Sequence, residues 1–156
     1  MDKQIKDDKF WMNYAISLAK TGASVDEVPV GAVIVKNGEL ISTGTNLREA
    51  LNSATGHAEI VALTKANEIL KSWRLLDCTL YVTLEPCLMC AGALYQSRIS
   101  KVVYGAKDPK GGALGSLYKI NEDERLNHQF EVESGILEEE CSQILKDFFR
   151  NKRKNK

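Results

Sequence analysis

Two short stretches hold groups that could do chemistry together: His57-Ala58-Glu59 and, thirty positions on, Pro86-Cys87-Leu88-Met89-Cys90. They offer one imidazole, two thiols and a carboxylate. A Cys-x-x-Cys just after a proline that can open a helix sets its sulfurs at i and i+3 on one helical face, spaced to grip one ion. His57 is the expected third ligand, because it too stands just ahead of a helical pattern, and two helix N-termini can converge at one edge of a sheet. Two thiolates and an imidazole suit zinc. Three protein ligands leave one position open, the arrangement of a catalytic zinc rather than a closed structural one. Water in that position would have its pKa lowered to about 7, and Glu59 would shuttle its proton. The expectation is one zinc per chain, held by His57, Cys87 and Cys90.

Two rival readings of the same residues are weaker. A redox Cys-x-x-Cys pair would leave His57 and Glu59 without a role. A structural zinc would need a fourth ligand from Cys78, Cys141 or His128, and none of these has motif spacing to the others. Cys78 opens a strand pattern and Cys141 lies on the apolar face of the last helix pattern, so both read as small core residues.

The positioning elements are legible from periodicity. Phe10, Trp11, Tyr14, Ala15, Leu18 and Ala19 recur at helical spacing and end at Lys20-Thr21-Gly22. Val30 to Val35, Asn37-Gly38 and Leu40 to Thr43 read as a hairpin with a tight turn. His57 to Leu70 is a helix pattern whose first turn holds His57 and Glu59. Leu80 to Leu84 is a short strand delivering the chain to Pro86, which is expected to open a helix running to about Ser97. Lys101 to Tyr104 is the next strand. From Gly105 to Asn127 glycines surround Asp108-Pro109-Lys110 and periodicity fails, predicting loop with a short helix. Phe130 to Val132 reads as a last strand. Leu137 to Arg150 reads as a helix with Leu137, Cys141, Ile144, Leu145 and Phe148 inward. The fold class is therefore α/β, three layers, with a central mixed sheet of about five strands and helices on both faces. Ligands in such sheets favour the crevice beyond the carboxyl ends of strands.

Composition bounds the partners. The 156 residues suit one domain spanning 1–156, with 44% hydrophobic and 27% charged residues and a formal net charge of zero. Any claim for nucleic acid must rest on local charge. Ionisable residues from Glu131 to Glu140 are all acidic, whereas 150–156 contains Arg150, Lys152, Arg153, Lys154 and Lys156 without an acid. Phe149 falls off the inner face of its helix, and an exposed aromatic beside clustered cations suits stacking on an unpaired base with phosphates alongside. The start of the chain, with Asp2, Asp7 and Asp8, lacks the pattern of a signal peptide, and no apolar run suits a membrane span. A cytoplasmic protein is expected.

His-x-Glu with Pro-Cys-x-x-Cys is the signature of zinc deaminases that act on nucleobases. The chain resembles the bacterial tRNA-specific adenosine deaminases of the cytidine/deoxycytidylate deaminase superfamily over nearly its whole length. Beyond the zinc motif, the resemblance rests on Glu27 to Ala32, Asn46 to Glu49, Thr83-Leu84-Glu85-Pro86-Cys87, Asp108 to Gly112, Gly115-Ser116-Leu117 and Asn127-His128. Gly56, where the family usually has alanine, and Ala50 to Thr55 are individual to this chain. The resemblance implies a cytidine deaminase-like fold and deamination of adenosine to inosine at wobble position 34 of an arginine tRNA. It implies a homodimer whose sites are completed across the interface. It makes Glu59 the catalytic proton shuttle and places Asn46 against the target nucleoside. Asp108 and Lys110 would lie beside the substrate strand, Asn127 and His128 would reach anticodon-loop nucleotides, and Phe149 and Arg150 would belong to the tRNA-binding end. The alternative is a free-base or nucleoside deaminase of cytosine or guanine type, with the same zinc site and no use for the basic tail. An RNA-binding zinc module without catalysis is the rival from another class.

Overall fold

A computed structural model describes residues 6–154; Asp2 and Lys156, which add to the charge of the two termini, lie outside the described residues. The first helix, α1, spans Asp8–Ala23 and starts where the Asp7 carboxylate accepts the backbone N–H of Phe10 at 2.9 Å. Strands β1 (Gly31–Lys36) and β2 (Glu39–Thr45) form the expected hairpin, with Asn37 and Gly38 both left-handed at φ 51° and 79°. Helix α2 (Ala58–Leu70), strand β3 (Cys78–Leu84), helix α3 (Leu88–Gln96) and strand β4 (Lys101–Ala106) follow. A single 3-10 turn at Ile120–Glu122 precedes strand β5 (Glu131–Ser134) and helix α4 (Glu138–Lys154).

The five strands lie in the order β2-β1-β3-β4-β5. β1 is antiparallel to β2 and β3, and β3, β4 and β5 are parallel, so the sheet is mixed as expected. Strand alternation divides the core. Ala32, Ile34, Leu80, Val82 and Val102 face α2 and α3, while Val33, Val35, Tyr81 and Val103 face α1 and α4. With both faces covered, the central strands carry apolar residues at nearly every position, which explains their unbroken hydrophobic runs.

Most elements lie within two residues of the expected bounds, with His57 the N-cap of α2 rather than a residue of its first turn; the differences that matter lie at α3, β4, β5 and α4. Pro86 does not open α3: Cys87 is its N-cap, with extended φ −75° and ψ 176°, and the first intrahelical bond runs from Ala91 N–H to the Cys87 carbonyl at 2.8 Å. β4 continues through Gly105 to Ala106, which pairs with Leu84 of β3, and Gly105 lies against Cys141 with no room for a side chain. β5 lies later than Phe130 to Val132, and Phe130 is a buried core residue ahead of it. Leu137 adopts φ 55° and stays outside α4, which instead runs past Arg150 to Lys154, so the described part of the basic tail is helical.

Candidate metal centre and catalytic cleft

The parallel strands β3 and β4 end at one edge of the sheet, and the N-termini of α2 and α3 meet there. His57 is the N-cap of α2 and Cys87 the N-cap of α3, while Cys90 lies one turn inside. His57 Nδ1 is 3.7 Å from Cys87 Sγ and 3.6 Å from Cys90 Sγ. The three ligand atoms lie within 4.8 Å of one another. A tetrahedral zinc with bonds of about 2.3 Å to sulfur and 2.0 Å to nitrogen separates a sulfur from the nitrogen by about 3.5 Å. The donor set therefore fits zinc in both chemistry and spacing. Cys78 and Cys141 are buried in the core away from this set, as expected.

The electrostatics of the two thiols differ. A hydrogen bond from the Cys90 thiol, the backbone N–H groups of Cys90 and Met89 and the nearby His57 bring Cys87 down to about 5, against the opposing effect of burial. Cys90 is pushed upward by its bond to Cys87, by burial and by the negative charge of Glu59. The N-terminus of α3 favours negative charge on the Cys87 sulfur.

Glu59 sits in the first turn of α2, only 4% exposed. Burial raises its carboxyl from 4.5 to about 7, with a backbone hydrogen bond working in the opposite direction. It lines a cleft of about 160 Å³ together with His57, Cys87, Asn46, Arg48 and Asp108, and with Val28, Val30 and Leu84 as apolar walls. A convergent polar set in an apolar cleft at the carboxyl ends of strands is the arrangement of a small-molecule or nucleobase site. A wider groove of about 700 Å³ runs between the end of α1 and α4, but its lining of Lys20, Asp26, Phe148, Lys152 and neighbours holds neither the metal-ligand set nor Glu59. Chemistry therefore belongs to the smaller cleft.

The expected substrate residues divide into two groups. Asn46 is buried in the cleft wall, its amide donating to the Val28 carbonyl at 3.2 Å and its carbonyl accepting from Arg48 N–H at 3.1 Å. Asp108 also lines the cleft, accepting from the backbone N–H groups of Lys110 and Gly111. The Lys110 side chain is exposed and outside the cleft lining. Asn127 and His128 lie at the far end of α3: Asn127 N–H faces the Tyr95 hydroxyl at 3.4 Å, and His128 Nε2 donates to the Ile99 carbonyl at 2.8 Å. The nine residues of α3 separate that end from Cys87, a rise of about 13 Å. Phe149 is 43% exposed and packs edge-on against the buried Phe148. Arg150 pairs with Asp147 at 3.8 Å, and Lys152 with Asp26 at 3.5 Å. Asp26 is two residues from Val28 of the cleft wall, which brings the basic end of α4 near the cleft without entering it.

Three polar residues of the cleft region had no role assigned from the sequence. Arg48 lines the cleft, and Glu27 and Glu85 are each 2% exposed with carboxylates bonded to loop backbone. Their signal was a carboxylate inside an otherwise apolar stretch, at Glu27-Val28-Pro29-Val30 and Leu84-Glu85-Pro86, where an acid needs donors to be buried.

A family profile described as MafB19-like deaminase matches residues 6–153. The tRNA-specific adenosine deaminase of Bacillus subtilis (strain 168) is 52% identical over 149 residues, 96% of this chain and 92% of the relative. A solved structure from biochemical and structural studies of A-to-I editing by tRNA:A34 deaminases at the wobble position of transfer RNA superposes with a TM-score of 0.84. It is 43% identical and covers 86% of this chain and 98% of that one. A guanine deaminase structure from Bacillus subtilis is 40% identical over 65% of each chain, with a TM-score of 0.62.

Proposed function

We propose, from a chain that belongs to the MafB19-like deaminase family and to the tRNA-specific adenosine deaminases, that the protein converts adenosine to inosine at wobble position 34 of a tRNA, an arginine tRNA with an ACG anticodon. The observation that carries the reading is the buried Glu59 sharing one small cleft with His57 and Cys87, which with the buried Cys90 behind them form a zinc-compatible set. Zinc, when bound there, supplies a Lewis acid that makes water nucleophilic at neutral pH. Glu59, buried in the first turn of α2 two residues from His57, is placed to accept a proton and return it. It takes one proton from the water that adds to C6 of the base and delivers one to the adjacent ring nitrogen. It then assists the amino group as the C–N bond breaks and ammonia leaves.

Asn46 and Asp108 orient the base from opposite walls. Val28, Val30 and Leu84 exclude bulk water around it. An anticodon-loop base is already unpaired, so bringing it into the cleft costs less than extruding one from a duplex. Phe149, Arg150 and the cations beyond them hold the flanking loop by stacking and phosphate contact. Asn127 and His128 lie too far along α3 to serve the cleft of their own chain, and in a homodimer they serve the cleft of a second copy. The enzyme works in the cytoplasm, where tRNA is matured.

The test is incubation of the zinc-loaded protein with an ACG-anticodon transcript and sequencing of the product for inosine. Release of ammonia from guanine, with no inosine in the tRNA, would instead favour the guanine deaminase chemistry of the 40% identical structure.

A further inference from the structure

The cleft has two loop walls, and each hangs on a buried carboxylate that has no part in the chemistry above. On one side Glu27 Oε1 accepts the backbone N–H of Glu49 at 2.8 Å and Oε2 that of Ala50 at 3.3 Å. This holds the turn that carries Arg48, whose N–H the Asn46 side-chain carbonyl accepts at 3.1 Å, while Asn46 is also bonded to the Val28 and Val30 carbonyls. On the other side Glu85 Oε1 accepts from Asp108 N–H at 3.1 Å and from the Ser116 hydroxyl. Glu85 Oε2 accepts Leu114 N–H at 3.1 Å and Ser116 N–H at 3.0 Å. The segment 107–117 is thereby folded around Glu85. Ala113 N–H also reaches the Pro86 carbonyl at 2.9 Å, and Gly112 bridges to Cys87. Gly112 approaches so closely that any side chain there would overlap the Glu85 carboxylate.

Neither acid forms an ion pair among the described residues. Backbone N–H groups, with the Ser116 hydroxyl, are therefore what offset the burial of their charge. From this we infer that Glu27 and Glu85 are positioning residues, a pair of buried carboxylates that independently set the two walls of the base cleft, Glu27 placing the Arg48 turn beside Asn46 and Glu85 placing Asp108. The inference rests on the deaminase reading for what the walls contact, and on geometry alone for what holds them.

Glutamine is the informative substitution. An amide keeps size but presents N–H groups where the carboxylate met N–H groups, so Glu27→Gln loses one of its two bonds and Glu85→Gln cannot retain all four. A merely structural acid would, on removal, loosen the molecule as a whole. A positioning acid loosens its own wall.

Amide hydrogen exchange on the zinc-loaded protein should show Glu85→Gln accelerating exchange at Asp108, Leu114 and Ser116 by about 10-fold or more, with Glu49 and Ala50 unchanged. Glu27→Gln should do the reverse. Both should keep one zinc, and with an anticodon stem-loop both should raise KM by about 10-fold while kcat stays within about 3-fold, the pattern of a variant that holds ground state and transition state equally less well. If Glu85→Gln does not fold, Ser116→Ala removes only the hydroxyl donor and should still speed exchange at Asp108 and Ser116. Equal loosening of both walls, unchanged exchange at a variant's own wall, loss of zinc, or a fall in kcat at constant KM would each overturn the inference. A wild-type protein that binds the stem-loop without deaminating it would sink the functional reading while leaving the exchange result to stand on its own.

Discussion

Glu59→Gln should make the metal-free protein more stable at alkaline pH, because Glu59 is a carboxylate the fold does not want charged. Its carboxyl rises from 4.5 to about 7, chiefly through burial, so the folded protein binds this proton more tightly than the unfolded chain does. The sign follows: the stabilising contribution of the protonated group is complete below about 4.5 and is lost as pH rises through about 7. A shift of this size corresponds to about 3 kcal/mol at pH 8. Glutamine cannot ionise and avoids that loss. Urea denaturation of the chelator-treated, reduced proteins should show the variant more stable by about 3 kcal/mol at pH 8, a midpoint shift of about 1 to 2 M. The difference should shrink through pH 7 and vanish near pH 4.5. In the zinc-loaded enzyme the same substitution should lower kcat by about 10²-fold or more with tRNA affinity retained. A pH-independent difference, or a variant less stable at pH 8, would refute the account of a desolvated proton shuttle.

Other outcomes follow from the geometry. Metal analysis should find one zinc per chain in Cys78→Ser and Cys141→Ser, whereas serine at Cys87 or Cys90, or alanine at His57, should remove it. Neutralising Arg150, Lys152 and Arg153 should weaken tRNA binding and flatten its salt dependence by about 0.7 in log-log slope for each phosphate no longer neutralised, with turnover at saturation little changed. Sedimentation at assay concentration should give a homodimer, and a fully active monomer would remove the assignment of Asn127 and His128 to a neighbouring cleft.

The helices, the hairpin and the metal set were legible because each depends on local pattern. Phe10 to Ala19 shows one face, Asn37-Gly38 dictates its turn, and His57 with Cys87 and Cys90 carries its own ligand chemistry. What was not legible depends on partners distant in sequence. Residues 107–117 show no periodicity because their backbone N–H groups go to the Glu85 side chain (Asp108, Leu114, Ser116), to the Asp108 carboxylate (Lys110, Gly111) and to scattered carbonyls rather than to a ladder or helix. Gly105 reads as loop, yet it lies within β4, where the pairing of Ala106 with Leu84 carries the strand on and Cys141 of α4 occupies the space a side chain would need. Cys87 as N-cap, rather than a residue within the first turn, was hidden because Pro86 is equally compatible with either start. The roles of Glu27 and Glu85 required knowing which loops lie beside them.

The outer strand β5 bears on how a second copy can attach. It is only four residues long, and two of them are glutamates, one already paired to Lys101 of the neighbouring strand at 3.3 Å. Aligning two such strands edge to edge would bring carboxylates together for the sake of very few hydrogen bonds. At the opposite margin β2 meets β1 through a register slip between Ile34 and Val35, and a kinked margin of this kind is a poor template for further pairing. Growth of the sheet is disfavoured on both sides. A second copy attached through helix and loop surfaces would leave two separate five-stranded sheets instead of one of ten.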